Sequence, residues 1–214
     1  MSKTTPQTEL WSGDFGREYV GRNFFNPAEL DQLYLGRSSV SRSELNERFI
    51  GGFDRNIRIL EVGANVGNQL RALAGMGFRN LYGIELNAYA VEQAKSLTQG
   101  INLIQGSAFD IPYKDGWFDL VFTSGVLIHL SPGDLPTALA EIHRCSARHI
   151  WGYESWAPEL TDVNYRGNQN VMWKGDYSKH YLAQFPDLRL LKEERVPYTG
   201  TELNDCMFLL EKSR

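Results

Sequence analysis

From residue 57 onward the chain falls into a regular alternation. Apolar runs at 57–62, 81–86, 101–104, 118–122 and 149–153 have strand length, and glycine or polar residues bound them. Between them, apolar residues recur at helical spacing: Val66, Leu70, Leu73 and Ala74 in one segment, Ala90, Val91, Ala94 and Leu97 in the next. Asn87 stands where the second of these needs a cap, and 135–145 reads as a third helix by period. Strand and helix in turn, with short connections, predict a parallel sheet covered on both faces. Two more β-like runs follow, at 188–196 and 206–211. The gap between them is too short for a parallel crossover, which needs roughly a dozen residues, so an antiparallel pair is expected. The pattern as a whole predicts an α/β fold built on a seven-stranded, mostly parallel sheet that ends in a hairpin.

Two segments stand outside this alternation. Residues 1–50 mix aromatic and polar positions (Trp11, Phe15, Tyr19, Phe24, Phe25, Tyr34) and end in a helix expected over 41–50, where Ser41 and Glu44 have capping-box spacing. They read as a helical arm or lid on a main domain of 51–214. Residues 156–185 form an irregular, aromatic-rich insertion, and long loops of this kind usually make walls or lids of binding sites.

Composition narrows the partners. With 214 residues the chain can bury one sizeable core, and 42% hydrophobic and 12% aromatic residues fit an ordered domain. The net charge of −4 and the lack of a Lys/Arg run argue against long nucleic acid, which calls for a basic footprint. Cys145 and Cys206 are expected to be free, buried thiols. The four histidines are scattered without ligand spacing, so no metal is expected. The first residues lack a signal-peptide pattern and no run reaches membrane-span length; a cytoplasmic protein without a membrane partner is the expectation.

Chemistry concentrates in Glu61-Val62-Gly63-Ala64-Asn65-Val66-Gly67, which follows a strand and opens a helix. Gly63 and Gly67 let backbone approach a ligand, and the helix start offers unpaired N–H groups. Glu85, at the end of the second strand and about 20 residues on, is placed to accept both hydroxyls of a ribose. A nicotinamide dinucleotide would use the same carboxylate. Its fingerprint, however, wants a second glycine beside the pyrophosphate, where this chain has Ala64 and Asn65. Glu61 would repel those phosphates and would instead favour S-adenosylmethionine, which has no phosphate and carries a sulfonium and an ammonium.

This segment resembles motif I of the class I S-adenosylmethionine-dependent methyltransferases. Tyr82-Gly83-Ile84-Glu85-Leu86-Asn87 resembles their acidic second-strand motif, Gly106-Ser107-Ala108-Phe109-Asp110-Ile111-Pro112-Tyr113 their adenine loop, and the stretch from Phe118 to Leu130 their fourth-strand motif. The opening Trp11-Ser12-Gly13-Asp14-Phe15-Gly16-Arg17-Glu18-Tyr19-Val20-Gly21-Arg22-Asn23 is similar to methylases associated with pseudaminic acid biosynthesis. The resemblance implies the Rossmann-like class I fold and S-adenosylmethionine as cofactor. In residues, it implies Glu61, Gly63, Asn65 and Gly67 at the methionine portion and Glu85 at the ribose. Leu86, Ala108 and Phe109 would lie about the adenine, and Thr123 and Gly125 near the methyl group. Ser107 departs from the pattern, since many members have Asp there to contact the adenine amino group. The acceptor it points to is a small molecule, an acidic sugar of the nonulosonic type or its nucleotide-linked form.

Further residues complete the expected site. Phe15, Tyr19, Arg22 and Asn23 recur at helical spacing, and a lid is expected in which Tyr19 and Arg22 reach the donor's carboxylate. An alcohol acceptor needs a base. His129, just past the fourth strand, is one candidate; Tyr153 and Glu154, ending the fifth, are others, and His180 is a weaker one. Within the insertion, Trp156, Tyr165, Trp173 and Tyr177 are expected to shape the acceptor pocket, with Arg166 and Lys174 neutralising an acid. Two other readings share the same opening strands: an NAD-dependent reductase, and a protein that binds adenosylmethionine without turnover.

Overall fold

The computed structural model describes residues 3–213. Strands β1 (Arg58–Val62), β2 (Asn80–Glu85), β3 (Asn102–Gln105), β4 (Phe118–Ser124), β5 (Ser146–Ser155), β8 (Leu188–Pro197) and β9 (Asn204–Lys212) form one seven-stranded sheet in the order β3-β2-β1-β4-β5-β9-β8. The first five are parallel, and β9 runs antiparallel between β5 and β8. The alternation predicts this seven-stranded, mostly parallel sheet with its terminal antiparallel pair, and it is the Rossmann-like class I fold that the resemblance implies. Strand boundaries shift by a few residues at most, chiefly because β5 begins at Ser146, straight after α7 (Leu135–Cys145).

Period-two alternation divides the core between the two faces of the sheet. Leu60 and Val62 on β1, with Phe208 and Leu210 on β9, join Leu139 and Ile142 of α7 on one face. Ile59, Met207 and Leu209 join Leu70 and Leu73 of α5 (Asn68–Gly75) on the other. That second layer also receives α3 (Pro27–Ser38) and α4 (Arg42–Ile50), through Leu30, Tyr34, Leu45, Phe49 and Ile50. The N-terminal segment therefore splits: α3 and α4 complete the core, whereas α1 (Pro6–Ser12) and α2 (Asp14–Arg22) lie outside it. Ser41 caps α4 by accepting from the Glu44 N–H, while Glu44 pairs with Arg48 rather than closing the box. Asn87 caps α6 (Ala88–Leu97). Cys145 and Cys206 are buried and free.

The insertion holds more structure than its sequence pattern shows. A short pair, β6 (Thr161–Asp162) with β7 (Trp173–Lys174), is followed by α8 (Tyr177–Gln184), capped by Asp176. Tyr177 and Tyr181 of α8 enter the core, an anchoring that aromatic content alone did not separate from a loop. No described helix is long and apolar enough to cross a membrane.

The register decides where a ligand can go. Val62 pairs with Ile84 and Thr123, Glu85 with Gln105, Ser124 with Tyr153, and Ser155 with Asp205. The carboxyl ends of the five parallel strands and the start of β9 thus share one edge, and ligands of open α/β sheets bind outside that edge.

Candidate active site

A cavity of about 410 Å³ opens along this edge. Its floor begins at the turn after β1. The N–H groups of Gly63 and Ala64 both donate to Ile84 O, at 2.8 and 2.9 Å, which folds the turn back over β2. Gly63 has φ +73°, and a Cβ there would come within 2.5 Å of Val126, so only glycine fits. Asn65 is also left-handed, at φ 49°. Its N–H donates to Glu85 Oε2 and the Asn87 N–H to Glu85 Oε1, each at 2.8 Å. These two bonds fix the carboxylate plane, yet each oxygen keeps a lone pair for a hydroxyl donor. Burial raises the Glu85 carboxyl above its ordinary range, and the backbone N–H groups oppose that.

Glu61 is 3% exposed and lines the cavity, but its Oε2 has no partner among the described residues. Asn65 Oδ1 and Gln69 Oε1, on the same wall, are likewise buried without a donor. Burial pushes the Glu61 carboxyl well above the usual range, with Arg42 opposing and Glu85 adding to the shift. Three orphaned acceptors converging at one end of a cavity call for a cationic ligand there. At the neighbouring end, Leu86, Ala108 and Phe109 form a largely apolar slot. Ser107 is buried beside it, and its Oγ accepts from the Phe109 N–H at 3.2 Å, leaving the hydroxyl hydrogen to give.

A pair of short helices, α1 and α2, borders the cavity. Asn87 Nδ2 donates to Trp11 O at 2.8 Å, Gln7 Nε2 to Asn170 O at 2.9 Å, and Asn68 Nδ2 to Asn23 O at 2.6 Å. Gly16 packs so closely on Trp11 and Asn87 that a Cβ would overlap both. Tyr19 and Asn23 line the cavity; Arg22 does not. The inward stripe of α2 is Gly16, Tyr19, Val20 and Asn23, and Arg22 lies about 200° around the helix from Val20. It pairs with Glu18 at 3.6 Å and is 38% exposed, off the wall on which Tyr19 and Asn23 stand.

His129, in the short 3₁₀ turn Leu127–His129, packs against Trp11 (ring centroids 4.4 Å) and Tyr165 (5.4 Å). Its Nδ1 lies 2.9 Å from Val171 O, and a carbonyl only accepts, so Nδ1 carries the hydrogen. Nε2 of the neutral ring then bears a lone pair. Burial lowers the ring to about 4, against the pull of the Val171 carbonyl, so it is neutral throughout the physiological range. The other base candidates differ. Glu154 Oε1 accepts from Val126 N–H at 3.2 Å and Oε2 from Ile128 N–H at 3.4 Å. Both oxygens thus hold the loop after β4, and burial raises this carboxyl to about 7 against those bonds. Burial also keeps the Tyr153 phenol protonated. His180 is not on the cavity wall.

Four acceptor-side candidates lie off the cavity wall. Trp173 and Tyr177 are 5% and 2% exposed, with the Tyr177 hydroxyl donating to Trp173 O; both are spent on anchoring the insertion. Arg166 lies exposed over the ring of Tyr165, which does line the cavity, and Lys174 follows Trp173 along β7; neither of the two is itself a lining residue. Gly67 and Thr123 also stand off the wall, Gly67 as the left-handed N-cap of α5 and Thr123 buried behind Glu154, whereas Gly125 lines it. Away from the glycine turn the wall is made by Tyr34, Arg37, Ser155, Tyr198 and Asp205, together with Tyr153 and Glu154. None of the first five is marked by a motif.

Residues 60–149 match the family model described as a methyltransferase domain. The chain shares 30% identity over 78 residues with a methyltransferase of uncharacterised role from Synechocystis, covering 36% of this chain and 37% of that protein. The chain spans about half or less of the length of the curated relatives it matches. Among solved structures, the Burkholderia thailandensis 1,6-didemethyltoxoflavin-N1-methyltransferase with bound S-adenosylhomocysteine superposes at a TM-score of 0.72, with 16% identity, over 100% of this chain and 93% of that one. The [4+2]-cyclase SpnF superposes at 0.69 with 14% identity, over 100% and 98%. At such identities the likeness establishes the fold.

The residues lining the cavity fit S-adenosylmethionine. Glu61 and its neighbouring orphaned acceptors match an ammonium, Glu85 a ribose diol, and the Leu86–Phe109 slot an adenine. They do not fit a pyrophosphate, which needs donors where the wall presents acceptors.

Proposed function

We propose that this chain transfers the methyl group of S-adenosylmethionine to an oxygen of a small acidic acceptor, of the nonulosonic sugar type. The observation that carries the reading is the orphaned Glu61 carboxylate oxygen, buried in the same cavity wall as the preorganised Glu85. A methyl donor offers an ammonium to the first and two hydroxyls to the second.

When bound, the donor supplies a methyl carbon on a sulfonium; the oxygen–carbon bond forms as the sulfur–carbon bond breaks and its electron pair returns to sulfur. The protein's task is alignment, exclusion of water and removal of one proton. α1 and α2 cover the cavity, held by Asn87, Asn68 and the insertion. His129 Nε2 receives the acceptor's hydroxyl proton, the role for which its tautomer is set. Glu154 positions the loop from Val126 to Ile128 and so the ring that follows it. The acidic-sugar assignment draws on the likeness of residues 11–23 to the pseudaminic acid-associated methylases and on the aromatic, arginine-containing wall at the acceptor end.

Calorimetry with S-adenosylmethionine, S-adenosylhomocysteine and NADH tests the donor. The first two are expected to bind and NADH not to. Glu61→Gln should weaken S-adenosylmethionine about 10- to 100-fold, the worth of a buried charged hydrogen bond. Binding of NADH in preference to the methyl donor would overturn the reading.

A further inference from the structure

At the end of the cavity opposite the glycine turn, three distant parts of the chain meet. α3 brings Tyr34 and Arg37, β5 ends in Tyr153 and Ser155, and the hairpin brings Tyr198 and Asp205. The Arg37 guanidinium lies over the rings of Tyr34 and Tyr198, 4.8 and 4.6 Å from their centroids. Its Nη2 donates to Asp205 Oδ2 at 2.8 Å and to the Tyr153 hydroxyl at 3.3 Å. The C-terminal end of α3 is in turn tied to the hairpin, since the Thr199 N–H donates to Arg37 O at 2.9 Å. The guanidinium plane is therefore fixed before any ligand arrives.

Asp205 would repel an anion if it were free, but it is not. Its Oδ1 accepts from Ser155 Oγ at 2.8 Å, its Oδ2 from Arg37 and from the Tyr198 hydroxyl at 2.9 Å, and its side chain is 4% exposed. Arg37, by contrast, is 35% exposed and retains donors. Its buried Nε–H has no acceptor among the described residues, and no described residue takes a hydrogen from Nη1. The Tyr153 hydroxyl accepts from Arg37, so its own hydrogen is also left to give. A planar cation with unclaimed donors, held between rings beside a free hydroxyl, suits a carboxylate.

Sheet order separates this cluster from the donor. The residues that fit S-adenosylmethionine follow β1, β2 and β3, whereas the cluster sits on β5 and β9, across the β4 loop that carries Gly125 and leads to His129. We infer that Arg37, oriented by Asp205 and supported by the Tyr153 hydroxyl, is the binding site for a carboxylate on the methyl acceptor. The inference rests on the acidic-acceptor reading and assigns its recognition to α3 and the hairpin, away from Arg166 and Lys174.

The experiment loads the full chain with S-adenosylhomocysteine and titrates N-acetylneuraminate, glucuronate and the neutral methyl ester of each, for wild type, Arg37→Lys and Arg37→Ala, with binding followed by ligand-observed NMR. At least one acid is expected to bind wild type tenfold or more tighter than its ester. Arg37→Lys keeps the charge without the planar fork and should reduce that preference. Arg37→Ala should abolish it while the S-adenosylhomocysteine affinity stays within threefold, a control for folding. A preference that survives Arg37→Ala, or a wild type that never distinguishes acid from ester, overturns the carboxylate site. A donor-loaded protein that takes neutral acceptors only would overturn it too and leave the methyltransferase standing, whereas failure to bind S-adenosylhomocysteine would remove both.

Discussion

The two ends of the cavity are built on different principles. The end we assign to the donor comes from short, contiguous segments at the tips of adjacent strands: the Gly63 turn, Glu85 with Asn87, and the Ser107–Phe109 loop. Backbone makes most of its geometry, through bonds such as those of Gly63 and Ala64 to Ile84 and of Asn65 to Glu85. The acceptor end has no such frame. Arg37 and Asp205 are far apart in sequence and meet only because the hairpin folds β9 back beside β5. A backbone-built site keeps its ligand as the surface around it changes; a side-chain-built one can be respecified by a few substitutions. That matches a fold whose solved neighbours include both an N-methyltransferase and a cyclase.

His129 lies between the two ends, and its removal is expected to have the largest effect. His129→Phe keeps a ring between Trp11 and Tyr165 but deletes Nε2. Turnover should fall on the order of 10²- to 10⁴-fold, the usual worth of a positioned base. The S-adenosylhomocysteine affinity should change less than threefold. If turnover survives, proton removal belongs elsewhere; if both fall together, the two ends are not separable at this residue.

The same contrast accounts for what could be read from the amino-acid order. The sheet, its hairpin and the gathering of Glu61, Gly63, Asn65, Glu85 and Phe109 on one cavity wall were legible because each depends on a local pattern: a strand, a turn, a capped helix. Arg37, Tyr198 and Asp205 were not, since no short-range regularity ties position 37 to position 205. The insertion was ambiguous for a related reason. Of its aromatic residues expected at the acceptor, Tyr165 lines the cavity, whereas Trp173 and Tyr177 bury themselves to anchor β7 and α8. Aromatic content marks cores and sites alike, and only the fold tells them apart.

Glu154 offers a smaller, pH-dependent test, at the junction of the two ends. Burial holds its carboxyl at about 7 in the folded chain, above an ordinary value near 4.5. The unfolded chain therefore releases this proton first. The stability contributed by Glu154 is complete below about pH 4.5 and is lost as pH rises through 7, a change of about 3 kcal/mol for a shift of this size. Glu154→Gln removes the titration but not the packing. The stability difference between wild type and this variant, from urea melts between pH 4.5 and 8, should fall by about that amount across the window. A difference that stays constant with pH would mean that the carboxylate is already ionised in the fold, and it would return Glu154 to the list of bases.

Arg22 should have the smallest effect. Tyr19 and Arg22 share α2, three residues apart, and sequence spacing alone puts both on a lid facing the donor. The helix separates them: Tyr19 turns into the cavity, and Arg22 extends to solvent beside Glu18. An exposed ion pair of that kind is worth roughly 0–1 kcal/mol. Arg22→Ala is therefore expected to shift stability by about 0.5 kcal/mol at most and to leave S-adenosylmethionine affinity within twofold by calorimetry. The result bears on more than one residue. A tenfold loss of affinity would require α2 to turn through a large angle when the donor binds, bringing Arg22 inward, and the lid would then be a moving part that closes on its ligand. An unchanged affinity fits a lid already in place, held by Asn87, Asn68 and Asn170, with the donor-facing work done by Tyr19 and Asn23.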